Sequence, residues 1–155
     1  LQLSEDIDVE LYLSLISTYD PIRSYLVPYR PYYNIDELLD ALEIYSTGSN
    51  RPVNLSYLML DGINDRAVDA MRLINVLQKR EFKAIVSLRE FCPNGSPFAV
   101  SMNMHRFAKV LRESGIKTEI FVSKGKDIDA GCGQLMQHKT EYVFAHPVCA
   151  PVRMV

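Results

Sequence analysis

A cysteine in a glycine-rich loop is the residue of this chain whose surroundings most favour chemistry. Cys132 lies between Gly131 and Gly133, shortly after a predicted strand. Glycines on both sides remove the crowding of Cβ atoms, so another group can approach the sulfur, and the charges of Lys124 and Lys126 favour the nucleophilic thiolate. The pattern indicates either a reactive thiol or, as for most single cysteines, a small side chain buried in the core.

The segment around this cysteine resembles the signature of an enzyme family. Lys124 to Leu135 reads Lys-Gly-Lys-Asp-Ile-Asp-Ala-Gly-Cys-Gly-Gln-Leu and is similar to the C-terminal signature of the radical-SAM 23S rRNA (adenine-C2)-methyltransferases, a family that also methylates certain tRNAs. The likeness runs from about Val9 to Gln137. It includes three further segments: Tyr57-Leu-Met-Leu-Asp-Gly-Ile-Asn-Asp65, Gly95-Ser-Pro-Phe98 and Arg106-Phe-Ala-Lys-Val-Leu111.

The resemblance implies a SAM-dependent RNA methyltransferase and gives roles to particular residues. Cys132 matches the family's catalytic cysteine, and Ser14, Leu15 and Ile16 match its Ser-Leu-His, which helps to bind the cofactor S-adenosylmethionine (SAM). In the implied mechanism the thiolate takes a methyl group from one SAM, and a radical made from a second SAM abstracts hydrogen from that methyl group. The carbon radical then adds to C2 of adenine, a position that is not nucleophilic and so needs covalent catalysis. The implied partner is 23S rRNA, with tRNA as a second candidate.

The chain departs from the family at the iron-sulfur cluster and at the SAM site. The Cys-x3-Cys-x2-Cys motif that holds a four-iron four-sulfur cluster is absent, because Cys92, Cys132 and Cys149 lie far apart in the sequence. We therefore predict no metal site in this segment and expect the cluster only in a longer parent chain. Ile16 replaces the family's histidine, and the asparagine expected in another SAM-contacting loop falls on or near Phe91.

Three functions stay open from the sequence. The first is the C-terminal portion of an RNA methyltransferase, whose missing N-terminal half supplies the cluster and a second, resolving cysteine. The second is a degenerate relative that acts as an RNA- or protein-binding module without SAM chemistry. The third is a different radical-SAM modification on the same scaffold. Because the chain begins at Leu1 rather than Met, we expect the natural N-terminus to lie upstream, where the cluster motif is either present or absent.

Length and composition place limits on these functions. A chain of 155 residues suits one domain with a substantial core. With 48% hydrophobic residues, 23% charged residues and a net charge of -2, the composition is that of an ordinary globular protein and does not by itself indicate a nucleic-acid partner. We find no membrane-spanning or secretory segment and few, widely spaced cysteines, so we expect a cytoplasmic protein without a membrane partner.

Strands and helices alternate along the chain. We predict strands over 9–17, 53–60, 84–88 and 117–122. Predicted helices are a short one capped by Asp20, one over 35–46 that begins with a capping box of Asn34 and Glu37, and one capped by Asp65. The helix that follows Asp65 has a predicted buried stripe of Ala67, Ala70, Met71, Ile74 and Leu77. A fourth predicted helix, ended by Gly115, has a buried stripe of Met104, Phe107, Ala108 and Leu111.

This alternation predicts an α/β fold with a parallel sheet, and the resemblance implies the C-terminal half of a partial (β/α)6 radical-SAM barrel. Residues 1–137 form that unit in our interpretation, and residues 138–155 are a tail of unassigned role. Loops that follow parallel strands gather at one edge of the sheet, where ligands bind. We therefore predict that residues 14–20, 61–65, 89–97 and 124–132 converge on one site. The alternative is that these polar loops only cap the sheet.

Overall fold

A computed structural model of the chain describes residues 9–27 and 33–134. These residues contain four strands: β1 (Tyr12–Ser14), β2 (Val53–Met59), β3 (Ala84–Glu90) and β4 (Lys117–Phe121). They also contain four helices: α1 (Asp20–Leu26), α2 (Ile35–Ser49), α3 (Ala67–Gln78) and α4 (Met104–Glu113). The tail over 138–155, with His138, His146 and Cys149, lies outside the described residues. Among the described helices, none combines the length and the apolar character that crossing a membrane requires.

The four strands form one parallel sheet in the order β1-β2-β3-β4. Each strand pairs with the next strand of the chain, and every connection contains a helix. A strand order that never reverses is that of a barrel segment, whereas a doubly wound sheet reverses its order near the middle. The predicted α/β class with a parallel sheet is confirmed.

The hydrophobic core lies between one face of this sheet and the helices. Alternate residues of β2 are buried: Val53, Leu55, Tyr57 and Met59. The predicted stripe of α4 is confirmed, with four buried residues: Met104, Phe107, Ala108 and Leu111. Gly115 follows α4 with a φ of 81°, the left-handed conformation predicted for a residue that ends a helix. The core thus fixes which side of each strand faces away from the helices.

Helix α2 begins where predicted and ends later. Asn34 Oδ1 accepts the backbone N–H of Glu37 at 2.9 Å, and Glu37 Oε2 accepts the backbone N–H of Asn34 at 2.9 Å. This reciprocal pair is the predicted capping box. The helix runs to Ser49 rather than residue 46, because the left-handed residue that stops it is Asn50, with a φ of 54°.

Two predicted N-caps are wrong. Asp20 is the first residue of α1 rather than its cap, which is Tyr19, and Asp20 Oδ1 instead accepts the backbone N–H of Ile35 at 3.0 Å. Asp65 is not the cap of α3, because Arg66 takes that position. In both cases the carboxylate binds a partner elsewhere in the fold, which the local sequence pattern does not include.

Strand β1 and the stripe of α3 also differ from the prediction. Only Tyr12–Ser14 form β1, which is an edge strand with a 58% exposed first residue rather than a buried strand over 9–17. On α3, Ala67 and Met71 are exposed and Leu73 is buried in their place. The helix is turned so that Asp69, only 2% exposed, also faces inward.

Candidate active site

A buried asparagine joins the loop after β1 to the loop after β2. The Asn64 side chain is fully buried, and its Nδ2 donates to the carbonyl oxygens of Ile16 at 2.7 Å and Leu58 at 2.8 Å. Its Oδ1 accepts the backbone N–H of Leu60 at 2.8 Å. Ile16 has a φ of 60°, a conformation that costs energy for a β-branched residue. Asn64 therefore holds a strained backbone position of the first loop in place.

A buried carboxylate joins the loop after β2 to the loop after β3. Asp65, 2% exposed, accepts the backbone N–H of Gly62 at 2.9 Å through Oδ1. Its Oδ2 accepts the Ser101 hydroxyl at 2.6 Å and the Asn103 side-chain amide at 3.1 Å. The charge of this carboxylate is distributed over three donors, so the two loops are fixed to each other.

The loop that carries Cys132 lies on the loop after β3. Gln134, 4% exposed, accepts the backbone N–H of Gly131 at 2.7 Å through Oε1 and donates Nε2 to the Pro93 carbonyl oxygen at 3.4 Å. Cys132 itself is exposed, whereas Cys92 is buried. The interpretation of Cys132 as a buried core thiol is therefore wrong, and it holds for Cys92 instead.

An ion pair forms a second contact between these loops. Lys126 Nζ lies 2.5 Å from Glu90 Oε2, and the two side chains are 36% and 19% exposed. Glu90 ends β3, which extends two residues beyond the predicted end at residue 88. One of the two lysines expected to favour the thiolate of Cys132 thus has its charge balanced by a carboxylate, while Lys124 is exposed.

These contacts hold neighbouring loops together at the same end of the sheet, as the direction of the parallel strands predicts, and that the four loops form one site stays a prediction. The contacts run from each loop to its neighbour. Ser14 ends the edge strand β1, and Cys132 follows β4 at the opposite edge. In a flat sheet these strand ends would be separated by three strand spacings, roughly 14 Å.

The residues predicted to bind SAM have different surroundings. Ser14 is exposed, Leu15 is fully buried in the core, and Ile16 is half-buried with its carbonyl bound by Asn64. Only Ser14 presents an exposed polar side chain, and the role of all three stays a prediction. Phe91, 6% exposed, packs edge-on against another aromatic ring, so no polar group stands where the family's asparagine is expected.

A row of hydroxyl groups on the helix-free face of the sheet was missed from the sequence. The strand register aligns Ser14 with Ser56 and Ser56 with Ser87, and Glu119 continues the row on β4. Side chains alternate across a strand, so Ser56, between two buried neighbours, faces away from the core. Such a row offers hydrogen-bonding groups to a polar ligand. The sequence feature that could have indicated this row is the polar residue at every second position at the start of β2.

The described residues do not fit an iron-sulfur cluster. Within residues 9–27 and 33–134, no three His, Cys, Asp or Glu side chains are grouped so that they could hold a metal ion. Cys92 and Cys132 are free thiols, one buried and one exposed. The cluster that the resemblance implies therefore finds no ligand set in the described part of the chain.

Two surface cavities of about 490 Å³ each lie outside the Cys132 loop. One opens beside Ala84 and Lys117, where β3 and β4 begin, and the other lies beside Asp36 of α2 and Arg72 of α3. Cys132 lines neither. We place the candidate site at the loop edge because neither cavity is lined by Cys132, although the second is lined by Thr18 of the loop after β1.

The fold is similar to that of a solved radical-SAM methyltransferase. A crystal structure of a radical SAM methyltransferase from Sphaerobacter thermophilus matches the chain with a TM-score of 0.79 at 36% sequence identity. The match covers 86% of this chain and 40% of that one. The predicted radical-SAM type of fold is thus confirmed.

The names of the sequence relatives are more specific about the class of enzyme. Two proteins named dual-specificity RNA methyltransferase RlmN, from Francisella tularensis subsp. mediasiatica (strain FSC147) and subsp. novicida (strain U112), are 37% identical to the chain over 137 residues. The match covers 86% of this chain but 37% of each relative. No family model matches. The chain is therefore similar to one part of these RNA methyltransferases, and the predicted resemblance is confirmed for that part.

Proposed function

We propose that the chain is the C-terminal portion of a radical-SAM RNA methyltransferase that methylates C2 of an adenine in 23S rRNA, with tRNA as a second candidate substrate. The relatives' names and their identity over most of the chain support the class of enzyme. The observation that carries the proposal is the exposed thiol of Cys132 in a loop that contacts the end of β3 and the loop after it.

Cys132 is the methyl carrier in this proposal. When bound, SAM supplies the methyl group, and Cys132 Sγ accepts it and presents it to the RNA base. The thiol is exposed, and Gly133 has a φ of 82°, so the backbone turns sharply next to the sulfur and leaves it accessible. Ser14 would hold SAM through its hydroxyl, while Leu15 and Ile16 fix the backbone of the same loop.

The missing N-terminal part of the protein is the required partner. Among residues 9–27 and 33–134 no group of side chains could hold a metal ion. In this proposal the N-terminal part supplies the cluster and the resolving cysteine. Cys132 lies exposed on a loop at the end of the sheet. An adenine must leave its stack to reach a side chain at such a site, which favours loops or single strands of RNA.

A second candidate is a binding module without SAM chemistry. Two observations favour it: Phe91 is buried against another ring, and Ile16 offers no polar side chain where the family has histidine. The two candidates make opposite predictions for the modified base.

The test is complementation of cells that lack their own adenine-C2 methyltransferase. The longest natural form of the protein is expressed, and 2-methyladenosine in 23S rRNA and in tRNA is measured by nucleoside mass spectrometry. We expect 2-methyladenosine with the natural protein and with Cys92→Ala, and none with Cys132→Ala. Absence of 2-methyladenosine with the natural protein, carrying a loaded cluster, would favour the binding module.

A further inference from the structure

We propose that Gln134 is the positioning residue for Cys132, because it closes the turn that carries the cysteine and locks this turn onto the loop after β3. The catalytic meaning of this positioning rests on the methyl-carrier role proposed above. The contacts themselves do not depend on that role.

Gln134 binds the residue before Cys132 in two ways. Its backbone N–H donates to the Gly131 carbonyl oxygen at 3.0 Å, and its side-chain Oε1 accepts the Gly131 N–H at 2.7 Å. These two hydrogen bonds, one from the main chain and one to the side chain, close a tight turn that contains Cys132. The backbone of Cys132 is thereby restrained while its thiol stays exposed.

The same side chain anchors the turn to the rest of the fold. Gln134 Nε2 donates to the Pro93 carbonyl oxygen at 3.4 Å, and the side chain is buried. Both polar ends of the amide are therefore bonded, as a buried amide requires. A glutamine is needed because one end must accept from Gly131 and the other must donate to Pro93.

Cys92 lies beneath this turn, so the reactivity of its thiol shows whether the turn is closed. A Cβ placed on Gly131 would overlap Gln134 Oε1 and lie 3.1 Å from Cys92 Sγ, so these three residues pack closely together. Cys92 is 2% exposed. If the turn opens, the thiol of Cys92 becomes accessible.

The experiment compares alkylation of the two thiols in the whole chain. Rate constants for iodoacetamide at Cys92 and at Cys132 are measured by peptide mass spectrometry for the natural chain, Gln134→Ala, Gln134→Glu and a matched control, Gln78→Ala. Gln78 also donates to a backbone carbonyl, at 3.2 Å, but it is exposed on α3. Far-UV circular dichroism verifies that each variant is folded.

We expect Gln134→Ala to raise the Cys92 rate about tenfold to a hundredfold, as the loss of two hydrogen bonds implies. Gln78→Ala leaves that rate unchanged. Gln134→Glu keeps the acceptor for the Gly131 N–H, so hydrogen exchange at that amide stays slow in this variant and becomes fast in Gln134→Ala. This rescue separates positioning from a general loss of packing.

A folded Gln134→Ala chain with an unchanged Cys92 rate would overturn the proposal. So would an equal rise in Gln78→Ala. If Gln134→Ala does not fold, Gln134→Glu decides: this variant loses the donor to the Pro93 carbonyl oxygen, so an unchanged Cys92 rate in the folded variant would also overturn the proposal. These results do not depend on methylation, so a Cys132 that carries no methyl group in cells refutes the proposed function and leaves the positioning test intact.

Discussion

Replacing Asn64 with alanine tests the contact that joins the first two loops. The change removes the hydrogen bonds to the carbonyl oxygens of Ile16 and Leu58 and to the N–H of Leu60, all at 2.7–2.8 Å from a fully buried side chain. Each buried polar group that loses its partner costs about 1–3 kcal/mol. Three such groups, partly relieved by water, give an expected loss of about 3–5 kcal/mol in the free energy of unfolding, a large part of a domain's stability.

The assay is urea denaturation of the whole chain followed by circular dichroism, with Asn75→Ala as the matched control. Asn75 is exposed on α3, so its replacement changes the free energy of unfolding by about 0.5 kcal/mol or less. A difference between the two variants of less than about 1 kcal/mol would refute the role assigned to Asn64.

Three further predictions concern single contacts. Burial raises the pKa of Tyr57, so the folded chain keeps this proton when the unfolded chain releases it. Stability therefore falls above about pH 10, and urea midpoints should fall less steeply with pH in Tyr57→Phe; an equal slope contradicts this. Gly48→Ala in α2, where a Cβ meets nothing within 4 Å, should raise the unfolding free energy by up to about 1 kcal/mol, and a lower Tm would count against it. Lys126→Met removes the ion pair with Glu90 and should lower the free energy of unfolding by less than about 1 kcal/mol, because the pair is partly exposed. It should also speed thermolysin cleavage in residues 122–131. The control Lys109→Met, which removes an exposed ion pair elsewhere, should not.

Much of the fold follows from local patterns in the sequence. The apolar spacing of α4 and the capping box at Asn34 and Glu37 depend on neighbours a few residues apart, so they could be predicted. The parallel sheet followed from alternation of strands and helices. The predicted N-cap roles of Asp20 and Asp65 were wrong, because their carboxylates bind Ile35 and the loop after β3, whose proximity only the folded chain creates.

The candidate site divides in the same way. Cys132 and its loop were predicted from glycine spacing and from the family signature, and the convergence of loops from the direction of the strands. The supporting residues were not. Asn64 and Gln134 are ordinary polar residues in the sequence, and each becomes significant only where two loops meet. Nothing in the sequence indicates the positive φ of Ile16, because isoleucine rarely adopts that conformation.

The central claim is that Cys132 carries a methyl group, and mass spectrometry tests it most directly. The longest natural form of the protein is purified from cells with its cluster loaded, and the peptide that contains Cys132 is weighed. We expect one added methyl group on Cys132 and none on the buried Cys92. An unmodified Cys132 in a protein with a loaded cluster would contradict the methyl-carrier role and leave the binding module as the better account of this chain.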